Sequence, residues 1–378
     1  MFGRIRSTFA AVLLLGFGVT HANAEDLLIG QVASMTGDTA TFGVSSDEGA
    51  RLALDEINAT GGVLGKQVKL VTEDDRSLAD EAKAAVQKLI TRDKVIAIIG
   101  EIASSRSLAI APICQESEIP MLSPGSTNAK VTEVGDYIFR ACFIDPFQGT
   151  AVAKFAMNDL KLKRFAVLYP INSDYGVGLR QYFVEAVKAR GGEIVEEQSY
   201  TEGRDVDFRA QLTTIKAKNP EGIFVSGYYT EAGLIAQQAR ELGLKAILMG
   251  GDGWDSDKTI TIGKQAVEGA YFSNHYSEEE TRPEVKKFVD DYKNKYNGKT
   301  PDAMAILGYD AMRLMADAIK RANSEDGAAI KDALAATKDF PGASGTITMD
   351  EKRNAKKPAV ILKIEGGKFR YAGTVNPD

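Results

Sequence analysis

Residues 95–105 have the sequence VIAIIGEIASS, and this stretch decides the fold class. Residues 95–99 are fully apolar and rich in β-branched side chains, which is typical of a strand buried on both faces. A short polar loop follows, and residues 105–116 have the pattern of a helix. A buried strand that leads through a polar loop into a helix is the repeating unit of a parallel α/β sheet.

The same unit recurs in both directions along the chain. The first series has predicted strands at 27–33, 68–72, 95–99, 120–122 and 137–140, with helices at 47–59, 79–91 and 105–116. The second series has predicted strands at 165–168, 193–198, 222–226 and 246–249, with helices at 175–190, 208–218 and 231–242. Two successive series of ordinary domain size predict two doubly wound, Rossmann-like α/β lobes.

The C-terminal part contains too few strands for a third core. It has predicted helices at 285–296, 303–321 and 328–337 and a hairpin at 359–372, so we expect it to return and complete both lobes. This gives a three-segment hinge with crossings near Asp145, Asn274 and Asp350. The expected division is lobe 1 at 25–145 plus 275–350, and lobe 2 at 146–274 plus 351–378.

The first 24 residues have the three parts of a secretory signal peptide. Arg4 and Arg6 precede an apolar run at 9–19, and Ala22-Asn23-Ala24 is a small-residue cleavage site. A short buried helix is the alternative, but a charged segment follows immediately. We therefore expect a secreted, periplasmic protein that begins near Glu25, with no membrane-spanning segment, since no run approaches ~20 apolar residues.

Composition argues against an enzyme and against a nucleic-acid partner. The net charge is −6 with interspersed signs, so no basic stripe is present. His275 is the only histidine after the signal peptide, and the sequence has no nucleophile elbow, phosphate-binding loop or dinucleotide fingerprint. We expect no catalytic residue, metal or cofactor.

The two cysteines are Cys114 and Cys142. In an oxidising compartment such an isolated pair predicts a disulfide. Two independent buried thiols, which behave as small hydrophobic groups, are the alternative.

Two loops of the first lobe are candidates for anion binding. Ser104 and Thr127 each follow a predicted strand and precede a predicted helix, where hydroxyls and free N–H groups meet a carboxylate or phosphate readily. Each residue taken alone could be an ordinary helix N-cap. Two such loops on adjacent strands favour a ligand site at the carboxyl edge of the sheet.

Four residues in strand-end loops of the second lobe suggest the opposite wall of a cleft. Asp252 and Trp254 lie in the glycine-rich stretch 250–254, and Tyr175 and Tyr228 follow neighbouring strands. Asp-Gly is also common in plain turns. An acid with three aromatic residues at one sheet edge nevertheless predicts a pocket wall.

A series of segments resembles one family in order and spacing over the whole mature chain. They are IGQVASMTGDTATFG (29–43), GARLALDEINATGGVLGKQVKL (49–70), the pair Asp74-Asp75, IIGEIASS (98–105), PMLSPGSTN (120–128), DYGVGL (174–179), SGYYTEAG (226–233) and MGGDGW (249–254). Together they resemble the leucine/isoleucine/valine-type amino-acid-binding proteins of ABC importers, which have the type I periplasmic-binding-protein fold.

The resemblance implies a role for each matching residue. Ser104, Thr127 and the backbone of Gly125 match groups that hold the ligand's α-carboxylate and part of its ammonium, and Asp252 matches the acid, usually Glu, that meets the ammonium. Tyr175 and Tyr228 match residues that meet the ligand on closure, and Ile102 and Ala103 match the side-chain pocket. Phe42 stands where many members have Tyr. The family cysteine is missing at Ala103, so a bridge between Cys114 and Cys142 would be a different one.

The resemblance also implies a mechanism and a partner. Lobe 1 would bind the carboxylate at two helix N-termini, closure would bring lobe 2 onto a zwitterionic, neutral aliphatic amino acid, and the closed monomer would dock on an ABC permease. A sensory or transport protein for an amide or aromatic acid is the alternative. Asp252 argues against it, because an unpaired carboxylate in a closed cleft would cost several kcal/mol.

Overall fold

The computed structural model describes residues 25–377, so the predicted signal peptide lies outside the described residues. The first lobe begins with five strands and four helices. They are β1 (Leu27–Ala33), α1 (Ala40–Ala59), β2 (Val68–Asp74), α2 (Ala79–Thr91), β3 (Ala97–Ile99), α3 (Ser104–Glu116), β4 (Met121–Ser123), α4 (Lys130–Glu133) and β5 (Ile138–Arg140). Within residues 25–377 no helix is long and apolar enough to cross a membrane.

The second lobe follows without interruption and repeats the alternation. Its elements are α5 (Asp145–Asn158), β6 (Arg164–Pro170), α6 (Asp174–Ala189), β7 (Glu193–Tyr200), α7 (Arg209–Ala217), β8 (Gly222–Val225), α8 (Tyr229–Glu241), β9 (Ile247–Gly250), a 3-10 turn (Asp252–Trp254), α9 (Asp257–Gly263), a second 3-10 turn (Lys264–Val267) and β10 (Tyr271–Asn274).

The C-terminal part serves both lobes. Its elements are α10 (Pro283–Lys295), α11 (Ala303–Ala322), α12 (Gly327–Ala335), β11 (Phe340–Gly342), β12 (Gly345–Met349), β13 (Ala355–Lys356), β14 (Ala359–Glu365) and β15 (Lys368–Val375). Helices α10 and α11 pack on α1, whereas the hairpin of β14 and β15 joins the second sheet.

Sheet topology confirms the two predicted doubly wound lobes. The first sheet is all parallel with the order β2-β1-β3-β4-β5. The second has the order β15-β14-β10-β9-β8-β6-β7, in which only β14 runs opposite to the other strands, so its pairings with β10 and β15 are antiparallel. The chain passes between the lobes three times: before α5, before α10 and before β14. A small third sheet, β11-β12-β13, lies beside the last passage.

The strands are buried on both faces, as their apolar runs predict. All three residues of β3 and all four of β8 are buried. One hydrophobic cluster lines a face of each sheet and runs through both lobes. Two further clusters fill the other faces, one under α2 and α3 and one under α7 and α8. Both sheets are thereby packed against hydrophobic cores on their two faces.

Helix α1 is longer than predicted and begins at Ala40 instead of residue 47. Its first residues include a Thr, a Gly, a Val and two Ser, which have weak helix propensity. Tertiary packing overrides this preference, because Phe42, Ser45 and Ser46 are buried against neighbouring elements. The crossing with α11 is close: a Cβ on Gly308 would lie 2.2 Å from the Ser46 carbonyl oxygen.

The predicted disulfide is wrong for this structure. Cys114 and Cys142 are both free and buried. They belong to different hydrophobic clusters, because Cys114 lies on α3 behind the sheet and Cys142 follows β5 on the other face. Burial raises the pKa of both thiols to about 12. The alternative of two independent buried thiols therefore describes the pair.

Candidate ligand-binding cleft

The carboxyl edges of the two sheets face each other, and the lobes touch across the gap. The Ser105 hydroxyl accepts a hydrogen bond from Asp174 N at 2.9 Å, and Asn128 Nδ2 donates to the Asp174 carbonyl oxygen at 2.6 Å. Tyr229 donates its hydroxyl to the Asp38 carbonyl oxygen, also at 2.6 Å. The cleft is therefore closed in this structure.

The first wall contains Ser104 and Thr127, both fully buried. Ser104 is the first residue of α3, and its Oγ accepts a hydrogen bond from Asn128 N at 3.2 Å instead of capping the helix. Thr127 Oγ1 lies close enough to the Asp145 carboxyl to lower its pKa, but it has no partner in good hydrogen-bond geometry among the described residues. Neither hydroxyl is an N-cap, and the first N–H groups of an α-helix such as α3 have no partner within the helix.

The loop after β4 does not lead directly into a long helix, contrary to the prediction for Thr127. The loop with Gly125 and Thr127 leads only into α4, a helix of four residues that begins at Lys130. Such a short helix has little macrodipole, and Thr127 precedes it by three residues. Lobe 1 thus offers one helix N-terminus, that of α3, instead of two.

A buried ionic network braces the first wall. The Arg106 guanidinium lies 3.3 Å from Glu101 and 3.6 Å from Asp75, and it donates to Thr39 Oγ1 at 2.6 Å. Ser34 Oγ donates to both Asp75 and Glu101. Burial raises the pKa of Glu101 to about 7, with Arg106 opposing this rise. The network joins the loops after β1, β2 and β3, so it positions Ser104.

Apolar groups surround these polar ones. Phe42 of lobe 1 meets the Tyr228 ring of lobe 2 edge-on, with the ring centroids 5.5 Å apart. Ile102 and Ala103 are buried beside Ser104. A Cβ on Gly125 would lie 3.2 Å from the Ile102 side chain and 3.4 Å from the Met304 sulfur. Met304, in the first turn of α11, was not predicted as a site residue because its helix is remote in sequence.

The second wall is centred on Asp252, which is buried and starts a 3-10 turn after β9. Its Oδ1 accepts from Gln148 Nε2 at 2.7 Å and from the Tyr175 hydroxyl at 2.9 Å. Its Oδ2 lies 2.9 Å from His275 Nε2. Gln148 and His275, which reach Asp252 from α5 and from the loop after β10, were not predicted as site residues.

His275 is a neutral partner of Asp252. Its ring is buried and stacks on Phe143 with centroids 3.8 Å apart. Burial lowers the pKa of His275, and the neighbouring Asp252 opposes this only in part. The three partners of Asp252 are hence all neutral donors, and none supplies a positive charge to the carboxylate.

The aromatic residues of lobe 2 separate into two groups. Tyr175 and Tyr228 stack with centroids 5.1 Å apart and planes 3° from parallel, and burial raises both phenol pKa values well above 10. They therefore stay neutral and form one wall with Asp252. The Trp254 indole instead packs inside the core of lobe 2, where Nε1 donates to the Val225 carbonyl oxygen at 3.1 Å.

Together the fold and the cleft define a class of protein. Two α/β lobes joined by three connections close on each other, with hydroxyls and a helix N-terminus on one wall and a carboxylate on the other. This is the architecture of a two-lobed binding protein that encloses a small solute. The periplasmic binding protein family model matches residues 27–368, and the chain belongs to this family.

Three similar proteins illustrate the relationship. A leucine-binding protein LivK from Thermotoga maritima is 42% identical, with a TM-score of 0.89 over 93% of this chain and 99% of that chain. The branched-chain amino acid binding protein LivJ from Streptococcus pneumoniae, solved with isoleucine, is 35% identical with a TM-score of 0.88 over 93% and 100%. The Leu/Ile/Val-binding protein BraC3 from Rhizobium johnstonii is 30% identical over 96% and 98%.

Proposed function

We propose that this chain is the solute-binding component of an ABC importer and that it captures a neutral aliphatic amino acid by hinge closure. The observation that carries the proposal is the opposite polarity of the two walls. Lobe 1 presents Ser104, Thr127 and the N-terminus of α3, which suit a carboxylate. Lobe 2 presents Asp252 with neutral partners only, which suits an ammonium group.

The remaining surface of the cleft supports an aliphatic side chain. Phe42, Ile102, Ala103 and Met304 are all apolar and buried. An aliphatic ligand gains from burial against them, at about 25 cal/mol per Å² of apolar surface. The size of the pocket then changes the binding free energy of one aliphatic side chain relative to another by only ~1–3 kcal/mol per methylene.

Closure links binding to transport. A ligand that touches both walls stabilises the closed state, because only that state offers both sets of contacts. The contacts of Ser105 and Asn128 with Asp174 form part of a rim that spans both lobes. We propose that this closed monomer acts in the periplasm, after signal-peptide cleavage near Ala24, and presents the joined rim to a membrane permease.

A thermal-shift screen tests the proposal. The ligands are the common amino acids, 4-methylpentanoate, benzoate and simple amides. A ligand that binds only the folded protein stabilises it by about 2.7 kcal/mol at a hundredfold excess over Kd. We expect leucine, isoleucine or valine to raise the melting temperature, while 4-methylpentanoate, which lacks only the ammonium group, leaves it unchanged. Stabilisation by benzoate or an amide alone would overturn the proposal.

A further inference from the structure

We infer that the carboxyl group of Asp145 is a second acceptor for the cationic end of the ligand, and that it releases a proton when this end binds. The inference rests on the proposed function, since it requires a ligand with an ammonium group. It goes further in assigning a residue outside the predicted site and in predicting a proton-coupled binding reaction.

Asp145 connects the two walls of the cleft. It is the first residue of α5, in the first connection between the lobes, and it is fully buried. Its backbone N donates to the Thr127 carbonyl oxygen at 2.8 Å, which ties it to the first wall. One turn further along α5, Gln148 bonds Asp252 at 2.7 Å, which ties the same helix end to the second wall.

Several buried oxygens around this helix end have no partner in good hydrogen-bond geometry among residues 25–377. Both carboxyl oxygens of Asp145 are without a partner, as are Thr127 Oγ1 and Gln148 Oε1. Most buried polar atoms in proteins are paired, so a group of four unpaired oxygens requires an explanation. All four can accept hydrogen bonds, and the Thr127 hydroxyl can in addition donate one toward Asp145. A primary ammonium group supplies three N–H donors and no acceptor, and it carries the positive charge that a carboxylate requires.

The surroundings of Asp145 supply that charge only in part. Arg140, on β5, is the neighbouring guanidinium, but it donates to the carbonyl oxygens of Ser126 and Asn128. The other titratable groups that influence Asp145, or are influenced by it, are Asp252 after β9, Tyr175 and Tyr182 on α6, and Cys142 after β5. None of these is cationic. The carboxyl group thus faces one guanidinium that is hydrogen-bonded to backbone carbonyls, a second acid and several neutral groups.

The unliganded protein therefore holds Asp145 in its protonated form at neutral pH. Burial raises the pKa of Asp145 to about 8, and the charge of Asp252 adds to this rise, while Thr127 and Arg140 oppose it. An ammonium group placed among these oxygens favours the ionised carboxylate and lowers the pKa again. The O–H bond of Asp145 breaks, the electron pair stays on the carboxylate, and the proton leaves to solvent.

Titration calorimetry with L-leucine at pH 7, in two buffers of different ionisation enthalpy, counts the released protons. Neither end group of leucine titrates near this pH. We expect close to one proton per leucine for the parent and close to none for Asp145→Asn, which keeps the shape but cannot ionise. We also expect Asp145→Asn to bind leucine about thirtyfold or more weakly. Asp159→Asn, at the exposed end of α5, is the matched control and should behave as the parent does.

The outcomes separate this inference from the proposed function. If the parent binds no amino acid, the proposed function fails and the inference fails with it. If the parent binds leucine without releasing a proton, and Asp145→Asn binds within threefold of the parent, the inference is wrong while the proposed function stands. Should Asp145→Asn fail to fold, the proton count of the parent alone decides, because no proton release contradicts the inference.

Discussion

The charge of Asp252 matters more to binding than its shape. Asp252→Asn keeps the size and one accepting oxygen but removes the counter-charge for an ammonium group. Truncating one partner of a buried charge pair typically costs ~2–5 kcal/mol, so we expect a loss of affinity of roughly thirtyfold or more. Folding should survive, because Asp252 lies in a short 3-10 turn and asparagine keeps an oxygen that accepts from its neutral donors. Titration calorimetry with the best amino-acid ligand measures the effect.

Two comparison variants sharpen this test. Asp257→Asn removes a charge from the exposed start of α9 and should leave binding unchanged. Ser104→Ala removes one neutral hydroxyl from the opposite wall, and a single hydrogen bond is worth about 0.5–1.5 kcal/mol, so its loss should be smaller. Binding of Asp252→Asn within threefold of the parent would mean that the ammonium contact lies elsewhere.

At the scale of elements, α1 and α11 pack so closely that one methyl group should weaken the fold. A Cβ on Gly308 would lie 2.2 Å from the backbone carbonyl oxygen of Ser46, so the helices must separate. Overpacking costs about 1–3 kcal/mol, which exceeds the ~1 kcal/mol that alanine gains over glycine in helix propensity. We expect Gly308→Ala to lower the free energy of unfolding in urea denaturation.

Gly373→Ala is the control for this substitution. Gly373 lies in β15, and a Cβ there meets no atom within 4 Å. Its urea midpoint should remain near that of the parent. Equal midpoints for Gly308→Ala and the parent would show that the two helices adjust without cost.

The two cysteines should react only after unfolding. Cys114 on α3 and Cys142 after β5 are buried, and the pKa of each thiol is raised to about 12. Because the thiolate is the reactive form, we expect Ellman's reagent at pH 8 to modify neither thiol in the native protein and both in guanidinium without reductant. Denatured protein that yields no thiol would instead contain the bridge.

At the scale of the whole molecule, contacts that never touch the ligand should influence affinity. The Tyr229 hydroxyl donates across the cleft to the Asp38 carbonyl oxygen at 2.6 Å, a contact that closure makes. Tyr229→Phe removes it and keeps the ring against Phe42. A hydrogen bond worth about 0.5–1.5 kcal/mol corresponds to a two- to twelvefold loss of affinity, which should arise from faster dissociation.

Stopped-flow kinetics with the best ligand measures this change. Tyr371→Phe is the control, because the Tyr371 hydroxyl contacts only Thr374 on the exposed face of β15. An unchanged dissociation rate for Tyr229→Phe would show that the cross-lobe bond does not contribute to closure.

Much of this protein is determined by its local sequence. Apolar β-branched runs and helical periodicity placed the strands and helices of both lobes, because burial on both faces leaves a local pattern. The strand-end positions of Ser104, Thr127 and Asp252 follow from the same alternation, since parallel strands end at one edge of a sheet. These features depend on neighbours within a few residues.

Only the tertiary structure decided the rest. Gln148 meets Asp252 from 104 residues away, and Met304 reaches the loop of Gly125 from α11. No local pattern predicts such contacts, because they depend on how the lobes pack and where the chain crosses between them. The same reason applies to Cys114 and Cys142, because the number of residues between them in the sequence does not show that they lie on opposite faces of a sheet. It applies equally to Asp145, because its carboxyl group is buried without a well-aligned hydrogen-bond partner only once the two lobes have packed together.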